Sequence, residues 1–441
     1  LNNHYRSIDA DRLDFEAIVS TADDQLAITT GILKREWKHR GRNYFHYKSE
    51  GKVTNDFSFN SGCYEIERDN WRGIDLEIYY HKSHTYNLNH MMAGMKASLA
   101  YNEKYFSPYQ HSILRIVEYS RTKGDYAQSF AGTMPFSEVG FITDVIDSGK
   151  TGLNLPFLGA AHETAHQWWG MQVTPADALG SRMVTESMAE YVSLKVLEHK
   201  YGKIRAQQFL KKALEIYLSR RMTDEETEQP LMYNTGLNKS HIPYQKGALV
   251  LFAMSEYLGE DKLNEALKLY LEKVKFQHAP YTNSIEMVNA IDTVTPDSLK
   301  YLINDLFKTV TLYDNSIRSA NSTALEDGKF AVEIDFLIAK YNTTRAGKRN
   351  YQDTSCQSLN YKSQDMEKPF YSLPLADYIE IGVLVEGAGN EREGNYMVKR
   401  FKINKMLNNA TIITEGKPIE IFIDPYLKLI DVNPADNSQK L

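Results

Sequence analysis

Ala161-His162-Glu163-Thr164-Ala165-His166-Gln167-Trp168-Trp169-Gly170 is the stretch on which the reading of this chain turns, because His-Glu-x-x-His gathers two imidazoles and one carboxylate around a single point. On a helix, positions i and i+4 share a face, so His162 and His166 are expected to reach one metal ion together. A carboxylate at Glu163 is poorly aimed to ligate that ion, but it can face a water on the ion and take its proton. General base is therefore its expected role. The motif nominates a zinc metallopeptidase and needs a third ligand.

Catalytic zinc takes three protein ligands and keeps a fourth position open. A pattern that completes the set with glycine at position 169 and histidine at position 172 is excluded, since Trp169 and Gln172 stand there. The competing pattern takes a glutamate from the following helix, and Arg182-Met183-Val184-Thr185-Glu186-Ser187-Met188-Ala189-Glu190-Tyr191 supplies one. Glu186 is the expected third ligand. Glu190 is its rival, yet it sits one turn further on, where it can accept a hydrogen bond from the free ring nitrogen of a ligating histidine.

These residues and their surroundings resemble the gluzincin zinc aminopeptidase family that includes aminopeptidase N. The resemblance implies zinc as cofactor, peptides as substrates and an α+β fold: a thermolysin-like catalytic domain flanked by β-sandwich domains. It also implies a tyrosine that steadies the oxyanion, carried here by Ile242-Pro243-Tyr244-Gln245-Lys246-Gly247, so Tyr244 inherits that role. Most members carry a Gly-x-Met-Glu-Asn strand whose glutamate grips the substrate's amino terminus. Here Gly132-Thr133-Met134 runs into Pro135-Phe136, and Ser137-Glu138 comes next. Gly132 and Met134 are the expected substrate contacts, with Glu138 as a displaced substitute for the missing carboxylate.

Residues 167–185 between His166 and Glu186 exceed the family's usual spacing by one. That spacing, the altered strand, Trp168-Trp169 and Thr185-Glu186-Ser187 are similar to a bacterial branch fused to ABC-transporter-permease-like membrane proteins. This branch implies a longer, membrane-anchored parent, on a side of the membrane the sequence leaves open. A start at Leu1, without initiator methionine or signal sequence, fits an excised portion of such a parent. The rival reading is a zinc-containing domain of a transport complex that captures or regulates peptides without cutting them.

Composition bounds the remaining classes. A chain of 441 residues, 42% hydrophobic and 24% charged, supports large cores and several domains. With 51 Lys plus Arg against 57 Asp plus Glu, and no basic block interleaved with aromatics, nucleic acid is not an expected partner. Cys63 and Cys356 lie too far apart to suggest a disulfide framework or a thiolate site. The apolar run 247–254 is too short to span a bilayer, and no transmembrane segment is expected.

Periodicity divides the chain in three. Residues 1–83 read as strands (13–19, 44–47, 53–60, 63–68 and 74–81), and the resemblance makes them the closing part of an amino-terminal β-sandwich domain. Residues 84–310 turn helical, with strands expected at 112–119 and 140–145 and a proline-assisted entry to the zinc helix at Asn154-Leu155-Pro156. Residues 311–441 alternate again through Phe330, Val332, Ile334, Phe336 and Ile338, as a carboxy-terminal β-sandwich domain does, with a long loop over 342–367. Trp168 and Trp169 read as core packing, and His81, His84 and the other scattered histidines as structural or solvent-facing groups.

Overall fold

The computed structural model describes residues 2–6, 11–143, 152–223, 228–234, 239–343, 357–359, 370–386 and 396–441. Most of the expected 342–367 loop, and Cys356 with it, lies outside the described residues. The chain forms two compact units. One comprises Leu1–Lys200, Met232–Ala248 and Leu258–Thr295, and the other Tyr201–Leu231, Leu249–Tyr257 and Pro296–Leu441. Helices and strands both contribute heavily, in keeping with the expected α+β class.

The first unit is built on a four-stranded sheet. Its strands are β1 (Glu65–Trp71), β2 (Ile74–Tyr80), β3 (Ile113–Tyr119) and β4 (Thr133–Ser137), in the order β4-β3-β2-β1. β1 and β2 form an antiparallel hairpin, whereas β2, β3 and β4 run parallel. Periodicity alone groups 63–81 with the leading strands, but these two strands complete the sheet behind the helices. Residues 126–130 return along the outer edge of β4. Phe130 N donates to Thr133 O at 2.9 Å, Gln128 N to Pro135 O at 3.1 Å, and Ser137 N to Tyr126 O at 3.1 Å. Gly132, at φ +65°, makes the tight turn between them. Pro135, which lacks an N–H, fits β4 because it serves its neighbour through its carbonyl alone.

A strand was expected at 140–145; residues Glu138–Ile142 form one short helix instead. A brief apolar run carries no decisive period, and here the helix won. Earlier in the chain, Glu16–Ala22, Arg42–Lys48 and Ile32–His39 form a three-stranded antiparallel sheet, and Leu26–Thr29 pairs with Phe59–Gly62.

Helix α1 (Leu88–Tyr105) buries Met91, Met95 and Leu99, a 3.6-residue stripe, and packs against α2 (Leu155–Ala165), the helix carrying the His-Glu-x-x-His motif. The approach is close. A Cβ on Gly94 would stand 2.4 Å from Phe157 O, and Ser98 Oγ donates to Ala161 O at 2.8 Å. Asn154 accepts from Phe157 N at 3.2 Å and caps α2, with Pro156 in its first turn, as the sequence predicts.

Two later helices begin with a π-helical turn: Met183–Ser187 leads into α3 (Met188–Tyr201), and Ile242–Lys246 leads into α4 (Gly247–Leu258). The two turns touch. Ser187 Oγ donates to Pro243 O at 2.6 Å, and a Cβ on Gly247 would meet Ser187 Oγ at 2.1 Å. Single π turns recur where a helix must aim a functional side chain, and these carry Glu186 and Tyr244.

In the second unit, Ser316–Ala324, Phe330–Leu337 and Leu407–Thr414 make one antiparallel sheet. Asp377–Val385, flanked by Met397–Ile403 and Pro418–Ile423, makes another, extended by Ser438–Lys440. Val332, Ile334 and Phe336 of the first share one buried core with Ile379, Ile381, Val383, Ile421 and Ile423 of the second. Two antiparallel sheets thus face one another across one apolar core.

Candidate metal centre

α2 sets His162 and His166 one turn apart on one face, and the π turn before α3 swings Glu186 against them. The two Nε2 atoms are 3.1 Å apart. Glu186 Oε2 lies 3.5 Å from His162 Nε2 and 3.3 Å from His166 Nε2. Four-coordinate zinc, with bonds of about 2.0–2.2 Å, separates its ligand atoms by roughly 3.3–3.6 Å; both Glu186 separations match, and the Nε2 pair would open by only about 0.2 Å to take the ion.

The other ring nitrogens are committed elsewhere. His166 Nδ1 is 2.9 Å from Trp169 O, and His162 Nδ1 is 3.3 Å from Glu190 Oε1. Protons placed there leave both Nε2 lone pairs facing each other and a carboxylate. Glu186 Oε2 is buried and makes no hydrogen bond. Three such atoms facing one another need a positive charge, a proton or a metal ion, at their centre.

The charges agree with that need. Burial opposes a charged His162, but Glu186 and Glu190 outweigh it and hold the imidazole pKa well above its ordinary value. Burial likewise opposes a charged Glu186, and the two imidazoles outweigh it, holding the carboxyl well below the usual range. The donor set belongs to zinc: mixed imidazole and carboxylate, three in number, with one side open to a cleft.

That cleft, a cavity of ≈ 670 Å³, is lined by Glu163, His166, Glu186 and Tyr244, together with Tyr5, Arg6, Asp56, Gln128, Ser129 and Arg182 among others. Glu163 faces it next to the ligands. Ser129 Oγ donates to the Glu163 backbone oxygen at 2.6 Å and lies 2.8 Å from Glu163 Oε2, which fixes that side chain. The Tyr244 ring stacks on His162 with centroids 5.8 Å apart and planes 8° from parallel. Burial, then the charge on Glu186, pushes the Tyr244 pKa upward, so its hydroxyl stays protonated and can donate. Trp168 and Trp169 are fully buried, as core residues are.

The three expected substrate contacts do not line this cleft. Gly132 sits in the turn, donating its N–H to Gln167 Oε1 at 3.0 Å. Met134 is fully buried, its sulfur 3.8 Å from the Thr164 hydroxyl. Glu138 accepts from Arg121 N at 3.0 Å and gathers with His84 and Glu118 instead. The reason is topological: residues 126–130 cover the outer edge of β4, so the cleft wall is Tyr126 to Ser129.

Sequence reasoning also missed Ser129, Arg6 and Arg182. Arg6 pairs with Asp56 at 2.6 Å and donates to Ser129 O at 3.1 Å, whereas Arg182 makes no ion pair among the described residues. Only Arg182 left a signal, one helical turn before Glu186.

Fold and donor set together define a zinc metallopeptidase domain. Residues 90–307 match the family model of the peptidase family M1 domain. The chain is 23% identical over 217 residues to human endoplasmic reticulum aminopeptidase 2, a match covering 47% of this chain and 22% of that protein. It is 27% identical over 193 residues to probable aminopeptidase 1 of Sulfurisphaera tokodaii, covering 41% of this chain and 23% of that protein. The match to each of these curated relatives thus spans less than a quarter of its length. Among solved structures, aminopeptidase A of Legionella pneumophila in complex with aspartic acid superimposes with a TM-score of 0.61 at 13% identity. That match covers 96% of this chain and 45% of that one.

Proposed function

We propose that this chain hydrolyses peptide bonds in the manner of an aminopeptidase, with His162, His166 and Glu186 holding zinc and Glu163 as general base. The observation that carries the reading is the convergence of three ligand atoms, Glu163 and Tyr244 on one cleft. When bound, zinc supplies Lewis acidity toward a water and the scissile carbonyl. Glu163, held by Ser129, takes the proton of the attacking water and delivers it to the departing amine. The Tyr244 hydroxyl donates to the carbonyl oxygen as charge develops there. Glu190 keeps the His162 ring turned so that Nε2 faces the ion.

We also propose that the chain belongs to a longer, membrane-anchored bacterial protein of the permease-fused branch. The motif departures at 132–138, 168–169 and 185–187 support this reading. No helix among the described residues is long and apolar enough to cross a membrane. The division at 83/84 and 310/311 into sandwich, catalytic and sandwich domains belongs to the same proposal.

The test is zinc content together with hydrolysis of fluorogenic peptides bearing free or blocked amino termini, for the wild type and Glu163→Gln. Cleavage of free termini alone, with zinc retained and turnover lost by about 10²–10⁴-fold in Glu163→Gln, is the expected result. Cleavage of blocked peptides assigns an endopeptidase instead. Stoichiometric zinc with no cleavage of any peptide overturns the reading in favour of a non-catalytic peptide-binding domain.

A further inference from the structure

The parallel strands β2, β3 and β4 end side by side, and each delivers a ligand-type side chain at its carboxy-terminal end. His81 and His84 come after β2, Glu118 is the penultimate residue of β3, and Glu138 comes directly after β4. One ligand atom each from His84, Glu118 and Glu138 lies within 4.8 Å of the other two. Glu118 Oε1 is 2.5 Å from His84 Nδ1, while Glu118 Oε2 accepts from the His81 amide at 2.6 Å and lies 3.5 Å from His81 Nδ1. The His81 and His84 rings stack with centroids 6.0 Å apart.

The electrostatics of this cluster are incomplete. Glu118 is 1% exposed, and a second carboxylate, Glu138, stands beside it. Among the described residues no lysine or arginine pairs with either; the basic groups beside them are the two imidazoles, and Glu138 otherwise accepts from the Arg121 amide. Two carboxylates this close, one of them buried, need a positive charge between them. Imidazole nitrogen mixed with carboxylate oxygen suits zinc or another first-row divalent ion, whereas calcium and magnesium prefer oxygen alone.

We propose that His84, Glu118 and Glu138 form a second divalent-metal site, distinct from the His162–His166–Glu186 centre, with His81 as the nearest further donor. The ion takes the place of the proton shared between His84 Nδ1 and Glu118, and the His84 loop opens that contact to ligand spacing. Its effect is mechanical. It ties together the ends of three strands, and through Ser137, which pairs with Tyr126, it steadies the cleft wall.

The test uses the 441-residue chain, stripped with chelator and reloaded with Co²⁺ or Zn²⁺. Bound metal is counted by atomic emission after gel filtration, and the melting temperature is read with and without the ion. The wild type is expected to hold about two equivalents and a His162→Ala/His166→Ala variant about one. In that variant background the ion should still raise the melting temperature. Adding Glu138→Gln, a change at a half-exposed position that leaves the buried Glu118 and its partners intact, should abolish both the remaining equivalent and the thermal shift. Adding His84→Asn should do the same. One equivalent in the wild type, none in the double variant, or an equivalent that survives Glu138→Gln overturns the proposal. Because the catalytic ligands are already removed in that background, these outcomes do not depend on whether the chain cleaves peptides.

Discussion

Gly247 is the position at which the geometry of the catalytic centre is most exposed to a single methyl group. A Cβ built there falls 2.1 Å from Ser187 Oγ, 2.5 Å from Ser187 Cβ and 3.1 Å from Ser187 Cα. Ordinary contacts between non-bonded atoms sit near 3.5–4.0 Å, so Gly247→Ala forces the two π turns apart by roughly 1 Å. Glu186 immediately precedes Ser187, and Tyr244 lies one turn before Gly247, so the strain falls on the proposed zinc ligand and the proposed oxyanion donor at once. Overpacking of this kind costs about 1–3 kcal/mol in stability. A misplacement of about 1 Å in a catalytic group costs on the order of 10²-fold in rate.

The expected result for Gly247→Ala is therefore a kcat/KM lower by about 10²-fold, measured on a fluorogenic peptide, with a melting temperature lower by a few degrees. Ser187→Gly removes both close atoms and returns the space. It gives up the bond to Pro243 O, for about 1 kcal/mol, and some helix propensity. The combination Ser187→Gly/Gly247→Ala should thus resemble Ser187→Gly more than Gly247→Ala, a coupling that independent sites would not give. A Gly247→Ala enzyme within about twofold of the wild-type rate, or a double variant no better than Gly247→Ala alone, would refute the argument that these turns are packed to contact.

The centre itself yields three more expectations. Tyr244→Phe should lower kcat by about 10²–10³-fold with little change in KM, because its hydroxyl is proposed to act on charge that develops only in the transition state; steady-state kinetics at saturating zinc checks this. Glu190→Gln should weaken zinc binding by about 10–100-fold while leaving the fold in place, as a competition titration against a chromophoric chelator can measure. Exhaustive chelation should abolish hydrolysis and lower the melting temperature, with both restored by zinc; retention of activity in metal-free protein would remove zinc from the mechanism.

The candidate ligand set, which the fold brings together, could be read from the sequence because its information is local. His162 and His166 are fixed by the pitch of one helix, and Glu186 and Tyr244 stand in short contexts with few alternatives. The alternation through Phe330 to Ile338 likewise identified a strand of the carboxy-terminal sandwich, since period two needs no partner to be seen. Partner choice was not readable. Residues 65–80 announce two strands, but nothing in them says that Ile74–Tyr80 pairs in parallel with Ile113–Tyr119 rather than with the leading strands. The same non-local fact moved Glu138 out of the cleft and brought Ser129 in, because one edge pairing decided which segment forms the wall. Arg6 and Asp56 are 50 positions apart and meet only through the fold.

The π turns have a consequence for chain length itself. A turn closed over five residues holds one more residue than the α-helical turn it replaces, so its side chains keep their bearing only while that extra residue is present. Deleting one residue from 183–185 would let the turn relax to α geometry and rotate the segment before it against α3 by roughly 100°. With the segment before the turn anchored, it is α3 that turns, and Glu186 and Glu190 would be carried away from α2 together, although each would survive in the sequence. The number of residues in that short stretch is thus as much a part of the catalytic centre as the histidines are.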